Sequence, residues 1–143
     1  MTGIHDRPSP KLAAIASYHA HIYYDVAATR DKAELLRTRI GERFAVQLGR
    51  WHDVLVGPHT QPMYQVAFST ELFKVFVPWL MLNRLGLTVL VHPNTGAPRD
   101  DHMLHSLWLG QVLPLKEETL PLHEDVSPGS PMATNTAPGK SAE

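Results

Sequence analysis

The chain contains no cysteine. That excludes disulfides, thiolate metal sites and thiol nucleophiles together. It has no apolar stretch long enough to cross a bilayer, and Met1 to Pro10 lack the charged start and apolar core of a signal peptide. The expectation is a cytoplasmic protein with no membrane partner. Charge of one sign is also missing. Thirteen Lys and Arg against 14 Asp and Glu leave a formal net charge of −1, so there is no basic footprint for nucleic acid. No Gly-rich phosphate loop and no Gly-x-Ser-x-Gly elbow occurs, which argues against the commonest nucleotide and serine-hydrolase chemistries.

What remains is globular. The 143 residues, 43% hydrophobic and 19% charged, suit one domain with a core of its own. The compositional excess is histidine, nine in all. His5 and His123 lie in polar flanks. His19, His21, His52, His59, His92, His102 and His105 lie within the patterned part, and any metal site must draw on nitrogen and oxygen ligands.

Residues 1–13, with Pro8 and Pro10, read as a flexible lead. Residues 15–24 alternate and predict a strand. Residues 30–46 predict an amphipathic helix, with Ala33, Leu36, Ile40 and Phe44 inward and an Asp31–Glu34 capping arrangement. Residues 50–56 predict a second strand broken by Gly57-Pro58, and Met63 to Phe68 a third, the two forming a hairpin. Glu71 to Arg84 predicts a second helix with Pro78 inside it, Phe73, Phe76, Trp79 and Leu82 in the core, and Gly86 as a left-handed cap. Leu87 to Val91 predicts a fourth strand ending at His92-Pro93. A short helix from Asp100 or Asp101 through Leu109 is expected to close at Gly110. The order strand, helix, strand, strand, helix, strand is that of an α+β, ferredoxin-like βαββαβ sandwich over residues 14–115. One sheet face is then left open, which predicts a homodimer. Residues 116–143 read as an extended tail, and after about residue 125 the Pro, Gly, Ser and Thr content predicts disorder.

The chemistry-bearing pattern is Tyr18-His19-Ala20-His21-Ile22-Tyr23. On a strand, His19, His21 and Tyr23 point to one face and Tyr18, Ala20 and Ile22 to the other. If the apolar side faces the helices, two imidazoles stand on the open face as a pair of nitrogen ligands for a divalent metal. His92 ends the fourth strand; spacing alone does not bring it to the pair. His59 sits in a loop that can cross the open face. His52 alternates with Trp51 and Asp53 beside Val54 and Val56 and reads as a core histidine. His102 and His105, three apart on the short helix, share one side.

Taken together, Tyr18–Tyr23, Gly57-Pro58-His59, Trp79–Arg84, Leu90–Gly96, Asp101-His102 and Leu107–Gly110 resemble the DOPA 4,5-dioxygenase family of fungi and bacteria, over most of residues 17–115. The resemblance implies a small, dimeric ferredoxin-like domain that cleaves a catechol such as L-DOPA with Fe(II) and O2. A catechol needs two open metal positions and oxygen a third, which three protein ligands on one face of an octahedral ion leave free. No Asp or Glu is evidently placed with the histidines, so a three-histidine set of His19, His21 and His92 is expected. His59 and His102 are then candidates for acid/base work. Arg99 is a candidate for pairing with a substrate carboxylate and Tyr23 for a second substrate contact. The residues also allow a zinc hydrolase on the same scaffold, or a non-catalytic dimeric module.

Overall fold

The structure is a computed structural model that describes residues 8–125 and 138–143. Met1 to Arg7, and residues 126–137 of the expected tail, lie outside the described residues. In chain order the elements are β1 (Ser17–Tyr23), α1 (Arg30–Arg43), β2 (Gln47–Leu48), β3 (Met63–Phe68), α2 (Phe73–Asn83), β4 (Val89–Asn94), α3 (Pro98–Met103) and β5 (Leu107–Leu109). The five strands form one antiparallel sheet in the order β2-β3-β1-β4-β5. The protein is thus α+β, and none of its described helices is long and apolar enough to cross a membrane.

Strand alternation decides which side of the sheet is the core. Ala20 and Ile22 of β1, with Tyr24 just after it, meet Tyr64, Val66 and Phe68 from β3 and Val89 and Val91 from β4. Ala33, Leu36 and Ile40 of α1 and Phe76, Val77, Trp79 and Leu80 of α2 cover this face. Three- and four-residue spacing puts each helix's apolar residues on one stripe, so both helices dock on the same side. Leu82 falls off that stripe and is 86% exposed, against its expected place in the core. Pro78 sits within α2 on its exposed side, and the helix runs through it. The turn into β4 puts Leu85 and Gly86 at positive φ, and Arg84 holds it by donating to the Leu87 and Met81 carbonyls.

Three local expectations are corrected. Residues 50–56 are not a strand. Pairing next to β3 is made by Gln47–Leu48, and beyond it only His52 bridges to Met63. Asp53 is drawn away to accept from the Tyr24 hydroxyl and Arg30, which leaves Val54 74% exposed. His52 is accordingly half-buried rather than core. The last helix ends at Met103, and Leu107–Leu109 is a strand on β4, with Leu109 on the helix side and Trp108 stacked on Tyr23 on the other. The start of α1 is organised by Asp25, whose carboxylate accepts from the Ala27 and Ala28 amides, and not by Asp31 with Glu34.

The face opposite the helices is roofed by the chain itself. Val56, Trp108, Leu113 and Leu115 pack on Tyr23, Met63 and Leu90. The two roofing segments are tied by Lys116 N–H to the Pro58 carbonyl and the Thr60 hydroxyl to the Pro114 carbonyl, both 2.8 Å. Beyond residue 115, Leu120 is buried and its carbonyl accepts from Arg99. Residues 138–143 return to α1, where Lys140 donates through its amide and its ammonium to Glu42 and Ala142 packs on the core.

Candidate metal centre

Four elements deliver five imidazoles to the roofed face. β1 supplies His19 and His21 by alternation. Antiparallel register sets His92 of β4 directly opposite His19. The turn Val56–His59 closes with His59 N–H donating to the Val56 carbonyl, and Gly57 takes φ +54° there, a conformation that favours glycine. That turn carries His59 over the sheet. α3 carries His102, and Asp101 fixes the approach to α3 by accepting from the Thr95 amide and hydroxyl at 2.8 and 2.6 Å.

The rings converge. His21 and His92 place their Nε2 atoms 3.1 Å apart. The His92 and His102 ring centres are 3.8 Å apart, those of His21 and His59 4.3 Å, and those of His19 and His92 5.1 Å. Two triads, His19–His21–His92 and His21–His59–His102, each offer ligand atoms within 4.8 Å of one another. Exposure is 3% for His21, 4% for His59, 2% for His92 and 9% for His102, while His19 is half-buried.

Hydrogen bonds fix much of the tautomerism. His92 Nδ1–H donates to the Pro93 carbonyl at 2.9 Å and His102 Nδ1–H to the Pro98 carbonyl at 2.7 Å. Both Nε2 atoms are therefore unprotonated, and that of His92 accepts from His21 Nε2–H. His59 Nδ1 shares a 2.7 Å hydrogen bond with the Tyr23 hydroxyl. His21 Nδ1 is buried with no hydrogen-bond partner among the described residues. Protein atoms alone thus leave this ring unsatisfied in a closed site, where buried polar nitrogens are normally paired. Two nitrogens about 2.1 Å from one ion and at right angles to each other lie about 3.0 Å apart. The His21–His92 separation fits that arrangement, and an all-imidazole donor set suits a divalent transition metal.

Electrostatics keep the cluster ready for a cation. Burial, followed by the His102 charge, pushes His19 down to about 4. Burial also takes His59 down to about 4, with His102 and His52 adding to it. His21 and His92 lie well below their usual range, first from burial and then from their neighbours. His102 is lowered by burial. Burial raises Tyr23, which stays a neutral phenol. At neutral pH the site is a set of uncharged imidazoles with lone pairs, which is what metal binding requires.

The structure brings together five of the seven expected site residues as one imidazole cluster, with Tyr23 hydrogen-bonded at its margin. Arg99 stands elsewhere. Its Nε and Nη2 both donate to the Leu120 carbonyl, at 3.2 and 3.0 Å. His102 and His105 part company because α3 stops at Met103, leaving His105 exposed. The sequence named Asp101 as a candidate helix start and beside His102, but not its bonds to Thr95. Their signal was the Thr95–Asp101 spacing across the turn into α3, legible only once that helix start is placed.

Fold and site define a class: a small α+β domain whose sheet carries a buried, cysteine-free histidine centre suited to a metal ion. The chain belongs to the Dopa 4,5-dioxygenase family, whose sequence pattern matches residues 18–119. It is similar to the DOPA 4,5-dioxygenase of Amanita muscaria, 33% identical over 122 residues, covering 80% of this chain and 54% of that protein. It is also similar to an uncharacterized 21.2 kDa protein of Botryotinia fuckeliana, 35% identical over 111 residues, covering 69% and 60%. The chain thus spans little more than half the length of these curated relatives. A crystal structure from Nostoc punctiforme, whose dioxygenase name is itself provisional, is 52% identical. It superposes with a TM-score of 0.76 over 78% of this chain and 96% of that one.

Proposed function

We propose that the protein is an Fe(II)-dependent extradiol dioxygenase that opens a catechol ring, with L-DOPA as one fitting substrate. The observation that carries the reading is the buried convergence of neutral imidazoles around His21 and His92, 3.1 Å apart at their Nε2 atoms. His19, His21 and His92 are the proposed ligands. When bound, ferrous iron supplies the site at which catechol and O2 exchange electrons. The chain's own residues do the rest. His59 and His102, neutral by burial, accept a catechol proton and return it to the product. An incoming catecholate raises the proton affinity of both rings by its charge. The Tyr23 hydroxyl orients His59 through Nδ1. Burial of His21, His59 and His92 keeps water from the rings, which strengthens each of these interactions.

A second ligand set, His21, His59 and His102, has an observation of its own. His59 and His102 both have Nδ1 anchored, by Tyr23 and by the Pro98 carbonyl, as metal-bound histidines usually do. His92 is anchored the same way, whereas among the described residues no such anchor holds His19.

The strand order β2-β3-β1-β4 with both main helices on one face supports a ferredoxin-like reading, with β5 added at the β4 edge. Exposed Met103, Leu104, Leu107 and Val112 around β5 support a homodimer; a purely monomeric sedimentation profile at micromolar concentration would remove that reading. The function is tested by anaerobic Fe(II) loading followed by a catechol screen with oxygen uptake. Stoichiometric oxygen use and a yellow ring-opened product are expected. An iron-loaded protein that consumes no oxygen with any catechol overturns the proposal.

A further inference from the structure

A cavity lies on the helix side of the sheet, across it from the histidine rings. β5 pairs with β4 only as far as Val91, and α2 begins at Phe73. The helix side is therefore thinly covered at the C-terminal end of β4. The chain crosses that end before β1 as a single helical turn, Leu12–Ala14. Ile15 N–H closes the turn on the Leu12 carbonyl, and Ala16 N–H ties it to the Asn94 carbonyl. Between this strap and the sheet is a cavity of about 500 Å³, walled by Leu12, Ile15, Tyr18, Phe73, Val91 and Leu107. His92 and Pro93 also line it and form the partition toward the imidazole cluster. The cavity stands apart from the dioxygenase reading, because Tyr18 and Val91 pack with the helix-side core.

Packed interiors hold few voids larger than a water molecule. A cavity of several hundred Å³ with apolar walls and a few polar groups has the size and character of a small-molecule site. Its polar groups are of one kind. Lys11 is the charged residue of the wall, and no carboxylate lines it. Among the described residues Lys11 has no ion-pair partner, and the Tyr18 hydroxyl and the His105 ring have no hydrogen-bond partner. Burial raises Tyr18, so its hydroxyl keeps its proton and is free to donate. The Thr95 hydroxyl is already committed to Asp101. Inside, the Tyr18 and Phe73 rings stand 4.8 Å apart, centre to centre. Lys11 and His105 are exposed at the mouth.

Aromatic walls within and an ammonium at the mouth complement a ligand with an apolar ring and one negative end. We propose that this cavity binds a small aromatic monocarboxylate, its ring against Tyr18 and Phe73 and its carboxylate toward Lys11.

The test titrates the full chain with phenylacetate, with the uncharged phenylacetamide and with hexanoate, at ionic strength held constant with chloride. The methyl NMR signals of Ile15, Val91 and Leu107 are the readout. Saturable shifts of these methyls with phenylacetate are expected, with the amide binding at least about tenfold more weakly for want of one charge-assisted hydrogen bond. Lys11→Glu, at an exposed position, is expected to remove the preference for acid over amide. Ala14→Trp, which fills the cavity from the strap, is expected to abolish the shifts. A chain beginning at Pro8 is expected to bind phenylacetate unchanged; binding there tenfold tighter would make the chain's own start the occupant and overturn the proposal. Hexanoate binding as tightly as phenylacetate overturns the aromatic class. No saturable shift, equal affinity for acid and amide, or an unaltered titration in Lys11→Glu overturns the site itself.

Discussion

The two faces of one sheet are built on opposite rules. The helix face is apolar and continuous, from Ala20 and Ile22 through Tyr64, Val66 and Val91 to the stripes of α1 and α2. The other face puts His19, His21 and His92 at the positions that alternate with those residues, and sets His59 of a turn and His102 of the short helix α3 against them. The same period of two that makes one side a core therefore makes the other a site. Stability comes from burying apolar area on the first side. The second side holds uncharged nitrogens with free lone pairs in a closed space, an arrangement that protein groups alone leave incompletely paired.

The comparison breaks most sharply in stability. Phe76→Ala, which opens a cavity between α2 and the sheet, is expected to cost about 3–5 kcal/mol. Denaturant unfolding checks this. A loss below about 1 kcal/mol would mean that the helix face is not where the protein's stability resides.

His21→Ala is the reverse case. It is expected to abolish metal binding while the metal-free protein stays folded with nearly unchanged cooperativity, read by metal analysis and circular dichroism on the same sample. Retained full iron occupancy would remove His21 from the site. His92→Ala and His59→Ala then separate the two triads, since the proposed set loses its metal in the first and keeps it in the second.

Acid sharpens the contrast further. His19 and His59 titrate near 4 in the folded protein and near 6.5 when unfolded. Between those values the unfolded chain binds protons that the folded chain refuses. Metal-free stability is therefore full above about pH 6.5 and falls steadily as the pH drops toward about 4. His59→Gln and His19→Gln are expected to flatten that slope in thermal melts. A slope unchanged in both variants would place the acid sensitivity on other groups.

The smallest effect is expected at the C-terminal contact. Ending the chain after Asp125 removes the Lys140–Glu42 pair and the Ala142 contact on α1, an exposed ion pair and one small side chain. The expected loss is below about 1 kcal/mol. A larger drop in Tm would make residues 138–143 an integral part of the core.

Periodicity makes much of this legible in the sequence alone. Ala33, Leu36 and Ile40 at helical spacing, and the alternation of Tyr18–Tyr24, correctly assigned which side of β1 faces the helices. The errors were at places where period is ambiguous or overridden. Trp51–Val56 alternates as a strand does, yet Asp53 answers to Tyr24 and Arg30 and the segment peels from the sheet. Leu107–Leu109 is too short for a three-residue run to tell strand from helix, and only the free edge of β4 decides it.

The sequence by itself determined that this chain has no thiol chemistry, that any metal ligands must be imidazoles or oxygens, and that His19 and His21 share a face. Each follows from composition or from a local repeat. Tertiary structure alone decided that His92 stands opposite His19, that the Val56–His59 turn and α3 bring His59 and His102 over the same spot, and that Arg99 turns instead to Leu120. Those outcomes depend on register and on loop paths between residues as many as 81 positions apart, for His21 and His102. Local propensity carries no information about such distances, because they are set by how the whole sheet closes on its core.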